Sequence, residues 1–327
     1  MEGSLKYDLI GDIHGHGSEL EKLLIKLGYE EHPNPLFEEE YQPVYSFIHP
    51  DRNRKVIFVG DLIDRGPEIR KTLEIVKSMV DNGSALCIMG NHEYNAIAFW
   101  HQPAFRNPQS IKNINQHMAT IQQFKNLESE WKHYCEWFKT LPILLDLPEL
   151  RVVHAFYSPL IHEFANTDQP FLTKDYHINP NYWYLKPKQP IKMIETVLKG
   201  HKIPLPEGHQ YQDKDGHIRQ HARVKWWVSA KDAKWGDILE ENAAPPELIQ
   251  TPFPEEQHND PNLCGYPSTE KPIFFGHYWL RGEPHLQTTN VCCLDYSVAK
   301  KGHLIAYQWS GEAKLDKAKF VTVEAIN

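Results

Sequence analysis

This sequence predicts an α/β fold. Three times in its first hundred residues an apolar run leads through a polar, glycine-marked loop into a helical pattern, and short apolar runs return near the carboxyl end to complete a core. The polar loops should then lie together at the carboxyl ends of neighbouring strands, where such sheets keep their sites.

The first run, Tyr7 to Ile13, reads as a short buried strand. Ser18-Glu19-Leu20-Glu21 has the form of a capping box, and Leu20, Leu23, Leu24 and Leu27 follow at helical spacing until Gly28 stops the helix. Val56-Ile57-Phe58-Val59 is a second strand. After the Asp61 loop, Pro67 suits a first helical position, and Ile69, Leu73, Val76 and Val80 share one face that Gly83 closes. Ala85 to Met89 forms a third strand, running into the Asn91 loop and an aromatic helical segment. Residues 30–54, with Pro33, Pro35, Pro43 and Pro50, read as an insertion or edge hairpin.

Trp131 to Lys139 looks helical, and Ile143 to Leu147 with Arg151 to Ala155 looks like a strand pair around Pro148. From about 156 to 271 prolines multiply, apolar periodicity weakens, and Trp183, Trp226, Trp227 and Trp235 stand among lysines and arginines. We read residues 156–271 as a cap inserted within one domain spanning 1–327, because tryptophans oppose disorder and long loops in compact domains are functional or disordered. Pro272 to Phe275, Val291 to Leu294 and Leu304 to Trp309 then complete the core.

The chain has 327 residues, 41% of them hydrophobic, enough to bury a substantial core. Its formal charge of −8 opposes stable nucleic-acid binding through phosphate neutralisation. Five cysteines, odd in number and without C-x-x-C spacing, suit a reduced, cytoplasmic setting. No run approaches a membrane span, and the strand beginning at Tyr7 leaves no room for a secretory leader.

The loops hold the chemistry. Asp12 and His14 are two apart, so strand geometry carried that far would aim both to one side, although a capping Asp and a surface His give the same pattern. Asp61 follows a buried strand, and one carboxylate can offer an oxygen to each of two cations about 3.5 to 4 Å apart. Arg65 suits bidentate gripping of a phosphate, against a plain ion pair with Asp64. Asn91 offers a neutral amide oxygen. His92 beside it suits a general acid oriented by Asp64. Glu93 reads as a residue favouring a helix N-terminus.

Gly11 to Gly15, Gly60 to Gly66 and Gly90 to Glu93 resemble the signature of the calcineurin-like metallophosphoesterases. Gly60 to Pro67 and Gly90 to Glu93 are most similar to the phosphoprotein-phosphatase branch, which includes small bacterial phosphatases and the symmetrical dinucleoside tetraphosphatases. The resemblance implies a β-sandwich flanked by helices. It implies a first cation held by Asp12, His14 and Asp61, and a second held by Asp61, Asn91, His154 and His277. It also implies a second phosphate-binding arginine, for which Arg223 is chosen over Arg219 and Arg281; Arg223 could equally pack on an indole face.

The expected chemistry is direct hydrolysis. Hydroxide formed at a dinuclear centre of divalent ions attacks in line, Arg65 and Arg223 grip the phosphate, and His92 protonates the leaving oxygen. Oxygen and nitrogen donors without thiolate suit manganese, and equally iron, zinc, cobalt or nickel. The first reading of substrate is a phosphorylated protein, making a serine/threonine or dual-specificity phosphomonoesterase. The alternative is a dinucleoside tetraphosphate, and a non-catalytic scaffold ranks below both because it has no use for the whole residue set. Trp226 and Trp227 among cations could stack a base or line a peptide groove, or anchor the cap.

Overall fold

The computed structural model describes residues 5–36, 38–39, 41–101, 110–165, 188–212, 216–241 and 243–326; Trp183 lies outside them. Two sheets face one another. In the first, the Lys6–Ile10 strand runs parallel to Arg54–Phe58, which runs parallel to Ala85–Cys87. On its other side Lys6–Ile10 pairs antiparallel with His303–Trp309, which also pairs Asp295–Tyr296 and Phe320–Glu324. The second sheet runs Val291–Cys293, Ile273–Phe275, Arg151–Val153, Leu144–Asp146, with the first three strands mutually parallel and the last antiparallel.

Side-chain alternation builds the sandwich. Leu9, Ile57, Val152, Phe274, Cys292, Ile305 and Tyr307 point into a core between the sheets. Their strand neighbours Ile10, Phe58, Val153, Phe275, Cys293, Leu304 and Ala306 point outward into a larger core shared with the helices. A strand buried on both faces must be apolar throughout, which is why these runs are nearly continuous in the sequence.

The helices Gly17–Lys26, Ile69–Asp81, Asn91–His101 and Glu128–Phe138 fall where the periodicity placed helices. Leu20, Leu23, Leu24, Ile69, Leu73 and Val76 are fully buried. The edge hairpin is present as Glu30–Pro33 paired with Tyr45–Ile48.

Both expected caps are corrected. The first helix begins at Gly17 with His16 before it and no side-chain cap; Ser18 lies inside and its N–H and hydroxyl both donate to the Glu68 carboxylate, at 2.7 and 2.8 Å. The second helix begins at Ile69, two residues past Pro67, and its first N–H donates 2.7 Å to Gln123 Oε1. Distant side chains satisfy the helix-end donors that local caps would otherwise take.

Within residues 156–271, the Trp226 indole N–H donates 3.0 Å to the Ala155 carbonyl, and the N–H groups of Ala155 and Phe156 donate to Val197, each at 3.0 Å. Trp226 and Trp227 pack on Phe275 at 5.2 and 5.1 Å between ring centroids. Trp226 and Trp227 thus brace the strands leading to His154 and His277, Trp235 packs on Phe253, and all three are buried and present no open face for a base.

Candidate metal centre

The parallel strands end side by side, and the chain turns sharply after each. Six non-glycine residues there have left-handed backbone: His14, Asp61, Asp64, Arg65, His277 and Trp279, with φ between 49 and 71°. Each such residue costs on the order of 1 to 3 kcal/mol, and this concentration of strain is typical of functional sites. Asp12 and His14 belong to this loop, since the first strand stops at Ile10; strand alternation therefore does not aim them, and the turn does.

Asp61 is buried at the middle. Its Oδ2 faces His14 Nε2 at 3.6 Å and His92 Nε2 at 3.9 Å, while its Oδ1 faces His154 Nε2 at 3.4 Å and accepts 3.0 Å from the His92 N–H. Two sets of donor atoms close enough to surround an ion result, His14 with Asp61 and His92, and Asp61 with His154 and His277. Asn91 Oδ1 joins the second set, 3.2 Å from His154 Nε2. Asp12 belongs to neither set as such, but its Oδ2 accepts 3.1 Å from the His277 N–H and its Oδ1 is buried beside Gly276 without a hydrogen-bond partner.

The imidazoles are oriented as ligands require. His14 Nδ1–H donates 2.9 Å to the Ile63 carbonyl and His154 Nδ1–H donates 2.8 Å to that of Val59, which leaves each Nε2 lone pair facing inward. Burial, then the positive groups His92 and Arg65, hold His14 well below the usual histidine range. Burial, then Arg223, does the same for His277. Both are neutral and able to donate lone pairs.

The residues fit a divalent cation pair. Asp12 Oδ1, His14 Nε2 and both His277 ring nitrogens are buried without hydrogen-bond partners. Orphaned polar atoms of this kind cost about 1 to 3 kcal/mol each, a cost that ligation removes. Burial and the charges of Asp295 and Asp61 push Asp12 well above its ordinary range, a repulsion that cations neutralise. Asp61 is held well below its range, because His154 and His92 outweigh the burial penalty.

Beside the centre, His92 Nδ1 lies 2.5 Å from Asp64 Oδ2, and Arg65 Nη2 lies 3.4 Å from His92 Nε2. Burial disfavours charge on His92, yet Asp61 and the Asp64 hydrogen bond prevail and raise its pKa. The Arg65 guanidinium stacks on Trp279 at 3.8 Å. Arg223, whose charge bears on His277, has its Nε donating 3.1 Å to the Lys199 carbonyl, its Nη1 paired with Glu240 at 3.2 Å, and its guanidinium carbon 5.3 Å from the Tyr278 ring centroid.

Four residues escaped the sequence reading. The buried Glu93 carboxylate accepts from the N–H groups of Asp61, Leu62 and Gly90 at 2.8 to 2.9 Å, so it clamps the two ligand loops together as well as heading its helix. Asp295 accepts from the N–H groups of Trp279 and Ser297. It follows an apolar strand just as Asp12 and Asp61 do, a signal that could have found it. His117 and Thr120 both bond Asp64 Oδ1 from the Ser110–Gln123 helix, and nothing local in their sequence marks them.

The sequence profile of the calcineurin-like phosphoesterases matches residues 5–278. The chain belongs to that family. As a calcineurin-like phosphoesterase it is a phosphoric ester hydrolase with a sandwich of two sheets, in keeping with the fold above. It is 26% identical to the asymmetrical bis(5'-nucleosyl)-tetraphosphatase PrpE of Oceanobacillus iheyensis over 233 residues, 64% of this chain and 86% of that protein. The same-named protein of a Geobacillus species is 48% identical over 157 residues, 46% of this chain, and the chain spans only 56% of its length. These names are of the asymmetrical type, where the sequence motifs suggested the symmetrical one. A protein serine/threonine phosphatase structure from Saccharomyces cerevisiae superposes with a TM-score of 0.49 at 14% identity, covering 99% of this chain and 80% of that one. No helix among the described residues is long and apolar enough to cross a membrane.

Proposed function

We propose that this calcineurin-like phosphoesterase hydrolyses nucleoside polyphosphates of the dinucleoside tetraphosphate class. Asp12, His14 and Asp61 would hold one divalent cation, and Asp61, Asn91, His154 and His277 a second. The observation that carries the two-cation hydrolysis is the division of the Asp61 carboxylate, one oxygen toward each set of donors. When bound, the cations supply a nucleophile at neutral pH and neutralise the phosphoryl oxygens. Arg65 meets the phosphate with a planar fork held flat on Trp279. His92, oriented by Asp64, delivers a proton to the departing oxygen.

The names of the relatives support the nucleotide substrate. The phosphoprotein reading rests on the Gly60 to Pro67 and Gly90 to Glu93 motifs and uses the same residues, differing in what lies beyond the scissile phosphate. Parallel assays of diadenosine tetraphosphate and phosphopeptides with added manganese test the choice. We expect the dinucleotide to be cleaved the faster, with unequal products, ATP and AMP, from an asymmetrical cut. Phosphopeptide turnover with the dinucleotide untouched would reverse the assignment.

A further inference from the structure

Trp279 joins two cations at the edge of the candidate centre. The Arg65 guanidinium carbon lies 3.8 Å from the centroid of the indole, and the Lys300 ammonium lies 4.4 Å from it. The His14 ring is 6.0 Å from the same indole. The two charges are therefore no more than about 8 Å apart, Arg65 beside His92 and Lys300 exposed to solvent.

This arrangement is rigidly built. Asp295 ties the two loops that carry it, its Oδ2 accepting 2.8 Å from the Trp279 N–H and its Oδ1 3.0 Å from the Ser297 N–H. The Leu280 N–H donates 2.9 Å to the Asp295 carbonyl, and the Ser297 hydroxyl donates 3.2 Å to the Leu280 carbonyl. Trp279, Ser297 and Lys301 all have left-handed backbone, at 54, 58 and 62°. The Lys300 N–H donates 2.8 Å to Ser297, fixing the turn that carries the ammonium. Within the stack the Arg65 Nε is buried without a hydrogen-bond partner, although a guanidinium ordinarily uses its donors.

Arg65, beside His92, stands where it would meet the phosphate being cleaved. Lys300, on the same indole and within about 8 Å of Arg65, adds a charge that a chain of linked phosphates can reach from a phosphoryl group held at Arg65. We propose that Trp279 and Lys300 extend the Arg65 grip on the phosphate being cleaved into a subsite for the phosphates linked to it, selecting substrates with three or more linked phosphates. The subsite rests on the reading of the centre given above and adds to it the device that reads phosphate-chain length.

Competition against p-nitrophenyl phosphate hydrolysis tests this, with orthophosphate and tripolyphosphate as inhibitors and manganese in excess over both. We expect tripolyphosphate to bind at least about tenfold more tightly than orthophosphate, Lys300→Met to lower that ratio by about tenfold, and Lys300→Arg to preserve it. The ratio of inhibition constants is insensitive to a general loss of active protein. Calorimetric titration of both anions into His92→Asn protein should give the same ratio without turnover. A ratio near one in the wild type, or one unmoved by Lys300→Met, overturns the subsite. If diadenosine tetraphosphate is not hydrolysed while tripolyphosphate still discriminates through Lys300, the nucleotide assignment fails and the subsite stands.

Discussion

His92 Nδ1 and Asp64 Oδ2 are 2.5 Å apart, and the other Asp64 oxygen is held by His117 Nδ1 at 2.7 Å and by the Thr120 hydroxyl. The carboxylate is thus gripped from two helices and cannot turn away from His92. If His92 is the general acid, His92→Ala should lower kcat by about 10² to 10³ for substrates with poor leaving groups. The loss should be much smaller for p-nitrophenyl phosphate, whose phenolate needs no proton. Equal losses on both would contradict an acid role.

The same pair sets a pH dependence. Burial opposes charge on His92, but Asp61 and the Asp64 hydrogen bond raise its pKa on balance, so the acid form persists to higher pH and kcat should fall as pH rises through that pKa. Asp64→Asn removes a contribution that raises the pKa, and the falling limb should move to lower pH. A limb that stays in place in Asp64→Asn and in His92→Asn belongs to another group.

Gly276 has no room for a side chain, since a Cβ there would lie 2.0 Å from Asp12 Oδ1. Its backbone is otherwise ordinary, so Gly276→Ala should fold and chiefly displace the Asp12 carboxylate, with a smaller shift of the Val59 methyl 3.1 Å away. Elemental analysis after dialysis should find less bound metal than in the wild type, with near-unchanged circular dichroism. Full metal content would remove Asp12 from the ligand set.

Glu93 is fully buried with three backbone donors on it. Glu93→Ala strands those N–H groups, and we expect a loss of about 2 to 4 kcal/mol in chemical denaturation. A change below about 0.5 kcal/mol would mean that the two loops hold their shape without it.

Away from the centre, Asp146 accepts from Arg151 at 2.9 Å, Lys271 at 2.6 Å and His162 at 2.7 Å. Partial burial opposes its charge, but Lys271, His162 and Arg151 pull its pKa down to about 2. A carboxyl depressed below its unfolded value stabilises the fold above that unfolded value and loses the effect as pH falls toward the folded one. The melting-temperature gap between wild type and Asp146→Asn should therefore close between about pH 4 and pH 2. A gap independent of pH would assign the effect to packing.

The sequence revealed the strands and the ligand loops because both obey short-range rules. A doubly buried strand must be apolar, and a candidate ligand at its carboxyl end must follow within a few residues, as His154, His277 and Asp61 do one, two and three residues past their strands. Helix starts were misread at Ser18 and Pro67 because Glu68 and Gln123, 50 and 54 residues away in sequence, satisfy the donors there. His117 and Thr120 escaped for the same reason, since their partner Asp64 is more than fifty residues earlier. The strand alternation argued for Asp12 and His14 failed because the strand ends at Ile10, two residues before Asp12 and four before His14, and the turn brings them in instead.

The central claim is that Asp61 serves two ions at once, and metal stoichiometry measured with Asp61→Asn tests it most directly. Wild-type protein reconstituted with manganese should retain two ions per chain and lose activity on chelation, and Asp61→Asn should hold fewer than one ion with at most about a hundredth of the hydrolytic rate. Asp61→Asn protein that keeps both ions and hydrolyses at the wild-type rate would contradict it.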